Sequence, residues 1–305
     1  MTLKQELSEF IKSHQKLGRQ ALKSLKNQIR GGENNAKGSR HENYFAVFQI
    51  AVRFPSALTR RIFISAQADA FVDDLVVVDQ EAGARLSYQL KDAVAVDWRG
   101  TKGILGYFFR QHILDCEYHQ MPDARTVLVL GNQQVYEKLK ASVPEAIAAH
   151  TDVIYFENTE SPNRLLLSNP EFRKAVEALC ISSAVDKLEM IVQGLLGAWM
   201  ACSPVEQDLE KIVQKAIRQT RPNLFRNFYS EEDDLDPDFR AIIDSIDGLR
   251  YEVTNGSFSY SVGGFTGVIP HRVGSEEFRQ LCNRIVSARP ESALKLVEAL
   301  MGVSD

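Results

Sequence analysis

Only four cysteines occur in 305 residues, Cys116, Cys180, Cys202 and Cys282, far apart and with no C-x-x-C pair. A disulfide framework and a finger-type zinc centre are therefore excluded, and a reducing, cytoplasmic setting is expected. Long apolar runs are also lacking. The longest, Met190 to Cys202, is interrupted by Gln193 and is shorter than the roughly 18 to 20 residues needed to cross a bilayer, so no membrane segment is expected. The N-terminus has no apolar signal core. G-x-S-x-G, H-E-x-x-H and a dinucleotide fingerprint are missing too, which leaves serine-hydrolase, metalloprotease and Rossmann chemistry without a motif. Neither sign of charge dominates: 36 basic against 40 acidic residues give a net charge of −4. Any contact with a polyanion must then come from a local basic face.

What is present is ordinary globular composition, 44% hydrophobic and 25% charged with 18 glycines and 10 prolines, in a chain long enough for two domains. Residues 2–30 carry apolar side chains at helical spacing (Leu3, Leu7, Phe10, Ile11, Leu17, Leu22, Leu25, Ile29) with seven Lys or Arg against two Glu, which predicts a basic amphipathic helix. A glycine- and asparagine-rich break follows over residues 30–40. Within it Gly32–Ser39 has the order Lys-Gly-Ser, the reverse of what a phosphate loop requires, and no strand precedes it.

From Glu42 to Phe54 the sequence is apolar almost all round, predicting a helix buried on most faces, with Glu42 and Gln49 as polar exceptions two turns apart. Three β-branched and aromatic runs at 62–66, 70–79 and 85–91 predict a meander. A helix over 101–120, a strand over 126–130, a helix over 133–150 and a strand over 153–156 complete the α-β-β-β-α-β order and extend its sheet. Beyond residue 160 the pattern turns helical at 170–200, 204–220, 237–248 and 275–302, apart from β-hairpins over 249–268. The expected organisation is residues 1–38 as the basic helix and linker, 39–160 as an α/β domain, and 165–305 as a mostly α-helical domain.

One constellation carries chemistry. With the turn between the second and third strands centred on Ala82–Gly83, Asp74 is expected opposite Lys91 and Val76 opposite Gln89. Side chains alternate along a strand, so Asp74, Gln89 and Lys91 share a face, and the helix bearing Glu42 is expected to pack there. An apolar interior holds such groups only when they are paired or bind an ion. A hard divalent cation suits the set: Asp74 offers a carboxylate, Gln89 an amide oxygen, Leu90 its backbone carbonyl, and water the remainder. Lys91 would orient or deprotonate an attacking water. Asp73 is the alternative to Asp74, since two adjacent residues cannot face the same way. The competing account is a cross-strand Asp74–Lys91 ion pair with Gln89 as a sheet residue.

This arrangement resembles the PD-(D/E)XK nuclease superfamily, with Glu42 in the helix, Asp74 in FVDDLVVVD, and Gln89 and Lys91 in SYQLKD. The segments E-N-Y-F, DDLVVV and YQLKD, followed by Trp98, look like the double-stranded DNA endonuclease domains of bacterial anti-phage effectors of the CBASS and Lamassu types. The resemblance covers residues 42–131, less than a third of the length. It implies a restriction-endonuclease-like core, Mg²⁺ (or Mn²⁺) as cofactor, DNA as substrate, and partners in a defence complex such as an SMC-like or other ATPase, with an oligomer allowed. Glu42, Asp74, Gln89 and Lys91 would be the catalytic set. Gln89 stands where most members carry Glu or Asp, which leaves one carboxylate fewer and keeps open a non-catalytic adaptor with the same fold. RNA is compatible with the same chemistry.

Blander groups remain. Arg53, Arg60, Arg61, Arg99, Lys102 and Arg110 flank the proposed site in sequence and are either a phosphate-positioning face or a solvated surface. His112 and His119 are seven apart on one predicted helix, as assistants or as structural histidines. Glu231–Asp238 is an acidic connector without the bend glycine of a calcium loop.

Overall fold

The computed structural model describes residues 5–18, 20–25, 40–66, 68–92, 95–99, 103–203, 205–228, 235–254 and 256–301. The molecule is mixed α/β and divides into two compact units, Met1–Thr220 and Arg221–Asp305. The glycine-rich Gly32–Ser39, Lys102 and residues 231–234 of the acidic stretch lie outside the described residues.

In the first unit, α1 (Gln5–Ser13) buries Leu7 and Ile11. The single helix expected over 2–30 is interrupted at His14–Leu17, and Gly18 takes the left-handed φ of +68° that a side chain would resist. Leu17, Ala21, Leu22 and Leu25 then rejoin the same apolar cluster, which closes on Phe71, Ile113 and Leu114. Lys12, Lys16 and Lys23 stay exposed.

The next helix, α2 (Arg40–Ala57), is apolar all round because it is covered on both sides. Its inner side meets the sheet, with Phe45 edge-on to Tyr88, while Phe48 stacks on Phe156 and touches Phe172 on its outer side. The meander follows: β1 (Ile62–Ser65), β2 (Leu75–Asp79) and β3 (Ala84–Lys91), all antiparallel. Next come α3 (Ile104–Ile113), which continues into a π-helical turn at Leu114–Tyr118, and β4 (Asp123–Leu130), parallel to β3. Two short helices, α4 (Gln133–Lys140) and α5 (Glu145–Ala148), lead to β5 (Thr151–Tyr155), parallel to β4. Parallel strands covered on both faces read as continuous apolar runs, as Val127 to Leu130 do.

The boundary expected at 160–165 falls inside this unit. After it come α6 (Pro162–Ser168), α7 (Pro170–Glu177), α8 (Val185–Met200), the two-residue β6 (Gln207–Asp208) and α9 (Leu209–Gln219). Helices α7, α8 and α9 pack on α2, and β6 pairs with β1, giving the sheet order β5-β4-β3-β2-β1-β6. A helix as apolar as α2 requires that outer layer, so the chain that supplies it belongs to the same core. The division between compact units instead falls at Thr220/Arg221.

The second unit holds α10 (Pro237–Ser245), the antiparallel strands β7 (Arg250–Thr254), β8 (Ser257–Val262) and β9 (Phe265–Arg272), then α11 (Glu276–Ala288) and α12 (Ala293–Met301). Asp236, read as part of an acidic connector, caps α10 by accepting from Asp238 N and Phe239 N at 2.9 and 3.0 Å. Gly263 and Gly264 (φ +56° and +86°) make the two-residue turn between β8 and β9, where both positions require positive φ. Phe239, Phe258 and Phe278 meet at the centre of its core. Among the described residues no helix is long and apolar enough to cross a membrane.

Candidate active site

The site is built at one end of the sheet, where β2 begins and β3 finishes. Leu75 pairs with Tyr88 and Val76 with Ser87, so the hairpin register lies two residues from the one expected. Gln80–Gly83 forms a four-residue turn, and Asp74 comes level with Gln89 in place of Lys91. A two-residue slip preserves which side chains share a face, so Asp74, Gln89 and Lys91 still project together.

The helix bearing Glu42 does not pack on that face. Apolar Tyr88 meets α2, where its hydroxyl donates to Gln49 Oε1 at 3.0 Å and accepts from the Arg53 guanidinium at 2.8 Å. The polar row of β3, Arg85, Ser87, Gln89 and Lys91, points the other way, toward α3. There Asp115 forms an ion pair with the Arg85 guanidinium at 2.7 Å and accepts from the Ser87 hydroxyl at 3.1 Å. The cause is amphipathicity: α2 takes the apolar face of β3, and the polar face is left to a helix that carries its own buried acid. Gln49, an anomaly in the sequence, is accounted for by Tyr88 and Arg53.

The Asp74 carboxylate accepts a short hydrogen bond from Gln89 Nε2 and one of 2.7 Å from Leu90 N, and Lys91 Nζ stands 4.0 Å from the same oxygen. Gln89 thus turns its amide nitrogen, and not its oxygen, toward Asp74. On a strand the N–H and C=O of one residue point to the same side. Lys91 O accepts from Gly131 N on the β4 side, so the Leu90 carbonyl faces the Asp74 side. Side-chain exposure is 19% at Asp74 and 42% at Lys91, enough for an external group to reach both.

Burial pushes the Asp74 carboxyl up against the opposing pull of Lys91, Leu90 N–H and Gln89. Asp73 is raised to about 7, first by burial and then by the neighbouring Asp74 charge, with Glu42 adding to the rise and Lys91 opposing it. Glu42 therefore bears on the cluster through Asp73, from the α2 side. Adjacent residues alternate faces, but at the end of the strand both carboxyls sense Lys91.

The start of β2 is held by a residue that the sequence reading passed over. Buried Gln111 on α3 accepts from Phe71 N at 2.7 Å and Val72 N at 3.0 Å, and its amide donates to Asp115 at 2.7 Å. Gln111 occurs among apolar residues of a helix, and a buried amide there was the available signal. Asp115 is raised to about 6 by burial, opposed by Arg85 and its other partners.

Of the six flanking cations, Arg53 is committed to Gln49 and Tyr88, Arg60 pairs with Asp79 at 2.9 Å, and Arg61 lies over the Phe63 ring at 5.7 Å. His112 stacks flat on His150, with centroids 3.6 Å apart, and the π-helical turn breaks its expected alignment with His119. Both histidines of the stack are shifted down, His150 to about 4, with burial as the first cause.

Among the described residues no three of His, Cys, Asp and Glu converge as a metal cluster. The donors at the site are different: one or two carboxylates, a backbone carbonyl and an amide, all hard oxygens once the Gln89 amide makes a half-turn. Two adjacent partly buried carboxyls with one ammonium have excess negative charge, and that fits a magnesium-type cation.

No protein-family model and no curated protein matches the chain. Among solved structures it is similar to the Cap4 SAVED/CARF-domain containing receptor of Acinetobacter baumannii, with 16% identity and a TM-score of 0.36 over 59% of this chain and 47% of that one. The same receptor with the cyclic trinucleotide 2'3'3'-cAAA matches with 14% identity and a TM-score of 0.35, over 59% of this chain and 45% of that one. The chain spans less than half the length of these receptor chains.

Proposed function

We propose that the chain is a metal-dependent DNA endonuclease with a restriction-endonuclease-like PD-(D/E)XK core, acting as the nuclease subunit of a bacterial anti-phage system. The observation that carries this is the meeting of Asp74, Gln89 and Lys91 at the end of adjacent strands, within a succession of one helix, three strands, a helix and a strand. The defence setting rests on the resemblance of the E-N-Y-F, DDLVVV and YQLKD segments alone.

Asp74, the Leu90 carbonyl and Gln89 would hold Mg²⁺ or Mn²⁺, with Asp73 the alternative carboxylate. When bound, the ion lowers the pKa of a water and neutralises charge on the phosphate. The chain's own part follows from its side chains. Lys91, half exposed, offers N–H donors to a phosphate oxygen or to the incoming water. Asp73, with its pKa near 7, exchanges a proton at neutral pH with little penalty, as a general base requires. Glu42 helps to keep that pKa high. Gln111 holds the backbone from which both aspartates project.

A second reading, a non-catalytic adaptor, is favoured by one feature: Gln89 supplies a hydrogen-bond donor where a third acid would ligate. Incubating plasmid DNA with the full chain and Mg²⁺ or Mn²⁺, alone and with the products of neighbouring genes, separates the two. Nicking by wild type that disappears in Lys91→Ala supports the nuclease. Intact DNA under every condition, together with preserved complex formation, supports the adaptor.

A further inference from the structure

We propose that a cavity at the same end of the sheet seats a phosphate of the DNA backbone between Arg99 and Arg110. The DNA identity rests on the nuclease reading, whereas the cavity and its charge do not. It has a volume of ≈ 330 Å³ and is lined by Trp98, Arg99, Gly103, Tyr107 and Arg110 among others, with no acidic residue among the described residues of its wall. Arg99 is exposed and Arg110 half-buried, and among the described residues neither guanidinium is held by a carboxylate. Of the other arginines singled out by sequence, Arg53 is held by Gln49 and Tyr88, Arg60 by Asp79, and Arg61 lies over the Phe63 ring.

The cavity is preformed. Trp98 is buried, and its indole N–H donates to Leu139 O at 3.0 Å. Ile104 N and Leu105 N donate back to Asp97 O and Trp98 O at 3.3 and 3.0 Å, which fixes the entry to α3 against the segment that displays Arg99. Gly103 permits this approach, because a Cβ there would lie 2.7 Å from Trp98 O. Arg110 comes from the same helix beyond Tyr107. Two guanidiniums lining one concave surface offer the planar, multi-donor geometry that phosphate oxygens accept.

Its location ties it to the acid–lysine cluster. Trp98, Ile104 and Phe108 share one apolar cluster with Val72 and Leu130. Val72 precedes Asp73 in the chain, and Leu130 lies level with Lys91 across the β3–β4 pairing. The apolar cluster beneath the cavity thus reaches the neighbours of Asp73 and Lys91. In a chain of net charge −4, such a patch supplies the local attraction that the overall field withholds.

The test is binding of a short fluorescein-labelled DNA duplex to the full chain in Ca²⁺, read by anisotropy from about 50 to about 200 mM salt. The variants are Arg99→Glu with Arg110→Glu and Arg99→Lys with Arg110→Lys. Charge reversal is expected to weaken binding about tenfold or more and to lower the salt slope by roughly 1, the value for one phosphate. The lysine pair keeps the slope and guards against misfolding. Unchanged affinity and slope on reversal overturn the proposal. Tighter arginine-dependent binding to RNA of the same sequence also overturns it, by giving the cavity to RNA. Arginine-dependent duplex binding by a wild type that cleaves nothing with Mg²⁺ upholds the cavity and removes the hydrolytic reading instead.

Discussion

Arg85, Ser87, Gln89 and Lys91 leave β3 from one face, and the two ends of that row meet their carboxylates differently. At the Arg85 end, Asp115 is fully buried, its ion pair is 2.7 Å long, and Ser87 and Gln111 each donate to one of its oxygens. At the Lys91 end, Asp74 is partly exposed, its ammonium stands at 4.0 Å, and the cluster holds a second carboxyl in Asp73. The same residue types thus make a closed structural knot at one end and an open acidic site at the other. What separates them is saturation. Asp115 is met from within the chain by Arg85, Ser87 and Gln111, whereas the Lys91 end sets two carboxyls against one ammonium.

The largest contrast should appear in stability. Asp115→Ala leaves the Arg85 guanidinium buried without its partner and is expected to cost about 3–5 kcal/mol. Asp74→Ala opens a position that water can reach and should cost less than about 1 kcal/mol. Both tryptophans, Trp98 and Trp199, lie in the first unit, so their fluorescence in urea reports on that unit alone. Equal losses in the two variants would erase the distinction drawn here.

The next effect sharpens the comparison by testing how the two ends communicate. Gln111→Leu removes the acceptor shared by Phe71 N and Val72 N and one donor to Asp115, with an expected cost of about 2–3 kcal/mol. Hydrogen exchange at the Phe71 and Val72 amides should rise by at least the corresponding factor while amides of β4 stay protected. If those two amides exchange no faster than in wild type, Gln111 does not hold the start of β2, and the closed end does not position the open one.

Much of this was legible in the sequence, and the reasons are specific. The all-round apolar 42–54 segment fixed a doubly covered helix, and the β-branched runs fixed the meander. Alternation placed Asp74, Gln89 and Lys91 together even though the turn was misjudged by two residues, because parity survives an even slip. Three features were not legible. The side chosen by α2 depends on which face of β3 is the more apolar in three dimensions, and Tyr88 with its polar hydroxyl obscured that. The unit boundary moved from 160–165 to 220/221 because amphipathic helices do not announce which core they cover. Asp115 and Gln111 looked like ordinary polar residues of a helix until Arg85 and Ser87 were brought beneath them from a distance in sequence.

The smallest predicted effect is a pH slope, and its sign follows from the shifts. Asp73 titrates at about 7 in the folded chain against about 4 unfolded, so unfolding releases its proton between those values and stability falls as pH rises through that window. Asp115, at about 6, acts in the same direction over a narrower range. His150 acts oppositely: its folded value of about 4 lies below the unfolded value of about 6.5, so stability falls as pH drops across that interval. The wild-type curve alone therefore mixes opposing terms, and the informative quantity is the difference between Asp73→Asn and wild type. That difference should grow from near zero at about pH 4 to about 1–3 kcal/mol in favour of the variant above pH 7, after discounting for partial exposure. In Asp115→Asn the rise should end near pH 6, and on its own it should be offset by the lost Arg85 pairing. A difference for Asp73→Asn that does not change with pH would mean that the open end holds no proton near neutrality, and the two ends of the row would then differ in exposure only.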